Sequence, residues 1–185
     1  MKRVLAVGVC VLLAAVTPSL AGIDKGNGEI GFDFGATSFD SDLSGKGGGR
    51  LAFRGGWHLT RLFQIEAEAS VSAHYPIHQQ GTTRADIVLT TFFVNGVFNF
   101  HSKSGNVVPY LLAGVGTSNL DFPPAHLSDS GAAHQFAAGS RFFFGERDHV
   151  AFRIEASRIT ADSFSTTFNH MNYVVGFTWR IGGGS

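Results

Sequence analysis

Apolar side chains recur at every second position along most of the chain, and a period of two predicts β-strands. In the last segment Met171, Tyr173, Val175, Phe177, Trp179 and Ile181 share one face, and Asn172, Val174, Gly176, Thr178 and Arg180 the other. Near the start, Ile30, Phe32, Phe34 and Ala36 oppose Glu29, Gly31, Asp33, Gly35 and Thr37. Leu51, Phe53, Gly55, Trp57 and Leu59 oppose Arg50, Ala52, Arg54, Gly56 and His58. Phe63 to Ala73 carries its apolar set opposite Gln64, Glu66, Glu68, Ser70 and Ser72. Val88 to Phe100 does so opposite Asn95 and Asn99, and Val150 to Ala156 opposite Arg153, Glu155 and Ser157. Two segments are less regular. Leu111, Ala113 and Val115 face away from Gly114 and Gly116, while Phe136, Ala138, Phe142 and Phe144 face away from Gln135, Gly139 and Arg141. Eight strands are expected, with no pattern at the helical period and no internal domain break.

The connections alternate in length. Phe39 to Gly49, His74 to Arg84, Asn119 to Gly131 and Thr160 to Asn169 read as long loops, and Thr60 to Leu62, His101 to Asn106 and Gly145 to Asp148 as shorter turns. Such a layout is that of a transmembrane β-barrel with short turns on one side and longer loops on the other. In hydrocarbon every backbone N–H and C=O must be satisfied internally, so only a helix or a closed barrel can span. Beyond the first two dozen residues no apolar run approaches the roughly 20 residues of a spanning helix. The reading is therefore all-β: an eight-stranded antiparallel up-and-down transmembrane β-barrel.

A barrel of eight strands is just wide enough for side chains to fill its interior. The non-apolar parity holds Glu29, Asp33, Glu66, Glu68 and Glu155 together with Arg50, Arg54, Arg141, Arg153 and Arg180. Five acids meet five arginines, the balance a narrow lumen needs, because unpaired buried charges cost several kcal/mol each. Trp57, Tyr173, Phe177 and Trp179, with Phe63, Phe100 and Phe152, fall near strand ends or on the outward parity, where membrane-interface girdles form.

Composition agrees. Charged residues are only 15% of the 185, against about 25% in soluble domains, and Gly (24) and Phe (18) are inflated. Fourteen Lys+Arg balance fourteen Asp+Glu, which argues against a nucleic-acid partner. Lys2 and Arg3, the apolar stretch Val4 to Val16, and Ser19-Leu20-Ala21 form a secretory signal peptide. The expected organisation is a leader over 1–21 and a barrel over 22–185. Cys10, the one cysteine, lies in the leader, so no disulfide is expected in the exported chain.

Asn95-Gly-Val-Phe-Asn-Phe100 followed by Val108-Pro-Tyr-Leu-Leu-Ala-Gly-Val-Gly116 resembles the fourth-to-fifth strand hairpin of the small outer-membrane β-barrels that include OmpA-like and OmpX-like barrels. The closing Tyr173-Val-Val-Gly-Phe-Thr-Trp-Arg-Ile181 resembles that family's final strand, although Gly182-Gly-Gly-Ser185 stands where the family ends in Phe. The resemblance implies an outer-membrane location, a monomer with a plugged lumen, and a role in membrane integrity and in surface interaction or adhesion through exposed loops. It also implies outer-membrane lipid and lipopolysaccharide, the barrel-assembly machinery and a surface or host ligand as partners.

Enzyme chemistry is not expected. A barrel deacylase acting on lipid A would place a His and a Ser together with an orienting acid, and the nearest pairs, His134 with Ser140 and Ser157 with Glu155, lack that spacing. His74, His78, His126, His134 and His170 fall in or beside the expected outer loops, scattered and without an acid cluster to make a metal site. The glycines of Gly45 to Gly49 around Lys46 lack a phosphate loop's strand–loop–helix context. No cofactor or metal is implied. A soluble periplasmic lipocalin-like barrel with its apolar face turned inward shares the same alternation, and a wide solute pore would need more strands.

Overall fold

Strands with one greasy and one polar face can bury neither alone, and here they bury both by closing on themselves. The computed structural model describes residues 26–41, 47–74, 86–100, 106–144 and 149–181. The expected leader with Cys10, together with His78 and the Gly182–Ser185 tail, lies outside them. The strands are β1 (Gly28–Ser38), β2 (Gly47–His58), β3 (Phe63–His74), β4 (Ile87–Asn99), β5 (Val107–Phe122), β6 (Leu127–Phe144), β7 (Val150–Ser163) and β8 (Thr166–Ile181). Each pairs antiparallel with the next, and β8 returns to β1, so the sheet has no edge.

Its geometry follows from the register. Partners lead from Gly28 through Trp57, Ile65, Gly96, Ala113, Phe136, Arg158 and Met171 back to Ser38, ten residues further along β1. A stagger of that size over eight strands tilts them by about 40° from the barrel axis. About ten residues then cross an apolar band of roughly 25 Å.

The alternation sorts inside from outside. Phe53 is 67% exposed, whereas its neighbours Ala52 and Arg54 are buried. Ile30, Phe34, Leu51, Trp57, Ile65, Val94, Leu111, Phe136 and Trp179 also stand on the outer wall. At the β2–β3 turn the Thr60 hydroxyl accepts the backbone N–H groups of Leu62 and Phe63.

Two of the expected long loops are not loops. β5 and β6 run through most of 119–131, leaving a 3-10 turn at Pro123–Ala125 and His126 between them. β7 and β8 run through most of 160–169, leaving Phe164 and Ser165, both at positive φ. Both hairpins extend past the band, where the outward side chains meet water instead of lipid and need not be apolar. Ser, Asp and Asn then outnumber the few inward apolar residues, Leu120, Ala161 and Phe168, and the segments resemble loop composition. Residues 42–46, 75–85, 101–105 and 145–148, in the remaining connections, lie outside the described residues.

The interior also differs from a uniformly polar bore. Leu89, Phe93, Val97, Leu112, Leu120, Ala133, Ala137, Ile159 and Ala161 are buried within it. At the short-turn end Val108, Phe143 and Ala151 cluster. At the opposite end Phe39, Ile87, Leu89, Leu120 and Phe168 do, with Phe122 against them. On β4 both parities are apolar (Leu89, Phe93 and Val97 inward; Phe92, Val94 and Phe98 outward), so only one set registers as a core face.

Candidate functional site

The tilt and stagger bring charged side chains from distant strands into one network along the bore, from Glu29 and Arg180 near the short-turn end to Arg50 toward the other. All five acids and Arg50, Arg54, Arg141 and Arg153 are buried, and the Arg180 side chain is 5% exposed. The Arg54 guanidinium contacts Asp33 and lies 2.9 Å from Glu66, 3.1 Å from Glu68 and 2.8 Å from Glu155. Arg153 reaches Glu66 at 3.0 Å and Glu155 at 2.8 Å. Arg50 binds Glu68 at 2.6 Å. Arg141 lies 3.4 Å from Glu29 and donates to Gln64 at 2.8 Å and Asn99 at 3.3 Å. Arg180 approaches Glu29 at 4.0 Å and covers the Phe143 ring at 4.7 Å. The network thus links β1, β2, β3, β6, β7 and β8 across the lumen.

Tyr110 of β5 is the member the sequence reading missed. Its hydroxyl donates to Glu155 at 2.7 Å and accepts from Arg153 Nε at 2.6 Å. The guanidinium groups of Arg153 (4.7 Å) and Arg141 (5.0 Å) both lie over its ring, two cation–π contacts. Gly139 makes the space: a Cβ there would collide with the Tyr110 hydroxyl and lie 2.6 Å from the Ile154 carbonyl oxygen. Tyr110 shares the parity of Gly114 and Gly116, and that was the available signal. Gln135 donates to Glu68 and Asn95, and His58 lies 2.9 Å from Glu29. Such satisfaction is what makes buried ions tolerable.

The four aromatics singled out on the wall are all exposed, at different heights. Trp57 and Trp179 sit at the short-turn end, opposite Gly28 and Ile30. Tyr173, opposite Ala36 and Ala156, stands toward the other end. Phe177 is away from both ends, in a ladder of register partners Phe53, Phe32, Phe177, Phe152 and Phe142 on five successive strands.

The described histidines do not converge. His134 is in β6, exposed, 6.2 Å from the Phe136 ring. His170 is in β8, buried, edge-on to Phe39 and accepting the Asp40 N–H. Both are strand residues, because the loops expected there are hairpin strands. His134 and Ser140 stand six residues apart on one strand, about 20 Å, and Ser157 accepts a hydrogen bond from Asn172. Among the described residues no group of three His, Cys, Asp or Glu side chains is placed to hold a metal.

Comparison with solved structures finds the same architecture. Neisserial surface protein A superposes with a TM-score of 0.68 at 12% identity, over 84% of this chain and 99% of that one. OprG, an outer membrane protein of Pseudomonas aeruginosa, gives 0.62 at 12% identity, over 89% and 100%. Ail, the attachment invasion locus protein of Yersinia pestis, gives 0.52 at 14% identity, over 85% and 99%. No curated protein matches the sequence. At the sequence level the model of one family, the outer membrane protein beta-barrel domain, matches residues 7–180, and with a closed eight-stranded barrel clothed in apolar side chains the chain belongs to that outer-membrane family.

Proposed function

We propose that the protein is a monomeric surface protein that leaves the outer membrane sealed and presents its two long hairpins to the exterior. The carrying observation is the filled bore, in which ion pairs join opposite walls and apolar clusters occupy both ends. An eight-stranded barrel so filled adds to membrane integrity and gives rigid support to β5–β6 and β7–β8. Its partners on this reading are outer-membrane lipid and lipopolysaccharide, the assembly machinery that inserts it after signal cleavage, and a surface or host ligand at the hairpins. Ail, solved with the heparin analogue sucrose octasulfate, shares the fold and lends weight to surface binding.

The test has two arms. In planar bilayers the purified chain should show no steady ohmic current, and regular stepwise conductance would defeat the sealed-bore reading. On cells, replacing 121–129 by a two-residue Asn-Gly turn should lower adhesion several-fold while the protein keeps its heat-modifiable gel mobility. Unchanged adhesion would remove the hairpin's role.

A further inference from the structure

On the outer wall, Arg158 of β7 meets no carboxylate among the described residues. Each of Arg50, Arg54, Arg141 and Arg153 meets a carboxylate, whereas among the described residues no carboxylate pairs with Arg158. Instead the Asn169 amide oxygen accepts from its Nη2 at 2.8 Å, from its Nε at 3.2 Å, and from the Thr160 hydroxyl at 2.9 Å. Asn169 is itself fixed, its N–H donating to Asp40 at 2.7 Å. The guanidinium is therefore oriented by a neutral amide, with no carboxylate on it among the described residues.

Its height also matters. Arg158 stands eight residues beyond the start of β7, which at about 3.3 Å per residue and a tilt of about 40° is roughly 20 Å above the short-turn end. That is near the far edge of a 25 Å apolar band, where a wall arginine is tolerated and where lipid phosphates lie. His134 adds a second polar group on the neighbouring strand, its register partner Thr160 being two residues from Arg158.

Beside Arg158 the wall is hollow. A depression of about 680 Å³ is lined by Ala113, Ala138 and Ala156, with Phe136 and Met171 along it and Arg158 in its lining. A cation joined to an apolar trough matches a phosphate joined to an acyl chain, and both parts bear on the same molecule.

We infer that Arg158 and this trough form a lateral site for a phosphorylated, multiply acylated glycolipid of the outer leaflet. The phosphate sits on the free guanidinium N–H groups and one chain lies along Ala113, Ala138 and Ala156. The site rests on the proposed glycolipid partnership and gives it an address. Its test is native mass spectrometry of the full chain, released from vesicles of phosphatidylcholine with either diphosphoryl or dephosphorylated lipid A. The unaltered protein should retain the diphosphoryl form about tenfold more, the scale of one charge-assisted contact. Arg158→Gln should erase that preference, Arg158→Lys should keep part of it, and Ala156→Leu should lower retention of both forms. Equal retention of the diphosphoryl form by Arg158→Gln would overturn the site while sparing the partnership. Retention of neither form by the unaltered protein would overturn both.

Discussion

Arg54 on β2 and Glu155 on β7 meet at 2.8 Å across the bore, although 101 residues separate them in the chain. Three strand pairings, β2–β1, β1–β8 and β8–β7, connect them around the wall. The pair therefore depends on β8 having found β1, the last closure of the sheet. Closure ends the exposure of backbone edges to lipid and at the same step assembles the charges that fill the interior.

Glu155→Gln should destabilise the barrel by about 3–5 kcal/mol, since Arg54 and Arg153 would each lose a carboxylate while remaining buried. Because these contacts form at closure, most of the change should appear in the unfolding rate. Urea-jump kinetics in vesicles, followed by the fluorescence of Trp57 and Trp179, would measure it. An unchanged unfolding rate would show that solvent reaches the network.

Tyr110→Phe removes one hydroxyl that both donates to Glu155 and accepts from Arg153. Its ring keeps both guanidinium contacts, so the loss should be smaller, about 1–3 kcal/mol. Combined with Glu155→Gln it should cost less than the two losses added, because they share a hydrogen bond. Strict additivity in equilibrium urea titrations would contradict the coupling.

These residues also show how far the sequence could be read. The ten charges share one parity because a membrane-spanning strand must keep ions off its lipid face, and that constraint is visible residue by residue. It weakens wherever an environment stops discriminating. Leu89, Phe93 and Val97 point into the bore opposite apolar neighbours that point to lipid, so β4 shows its apolar wall and hides its apolar interior. Asn119 to Gly131 meets water on its outer side and buries little besides Leu120 within, so its strands look like loop. Which arginine meets which acid depends on the ten-residue stagger, a property of all eight registers together.

The outward face makes a depth-dependent prediction. Val94 is 50% exposed on β4, between Ala67 and Val115 and five residues from the short-turn end. Val94→Arg should cost about 2–4 kcal/mol in vesicles, the penalty near a bilayer midplane. Ala132→Arg, twelve residues from the end of β6 and beyond the band, should stay within about 0.5 kcal/mol. Equal costs in equilibrium unfolding would mean that the hydrocarbon does not lie where the tilt places it.

The β7–β8 turn carries an unused margin of stability. Phe164 and Ser165 have φ of 50° and 60°, a pair of left-handed residues in a two-residue hairpin, where Asn-Gly is preferred. An ordinary side chain there costs about 1–2 kcal/mol. Phe164 is constrained further, its ring 5.9 Å from that of Phe122 and its N–H bonded to Asp129. Ser165 has no comparable tie among the hydrogen bonds described, so Ser165→Gly should relieve strain and stabilise by about 0.5–1 kcal/mol once glycine's greater freedom in the unfolded chain is subtracted. Phe164→Gly should gain less or lose, because the packing on Phe122 goes with the ring. Paired urea midpoints for the two variants would decide, and a destabilised Ser165→Gly would show that the turn is held open by contacts rather than strained by its backbone.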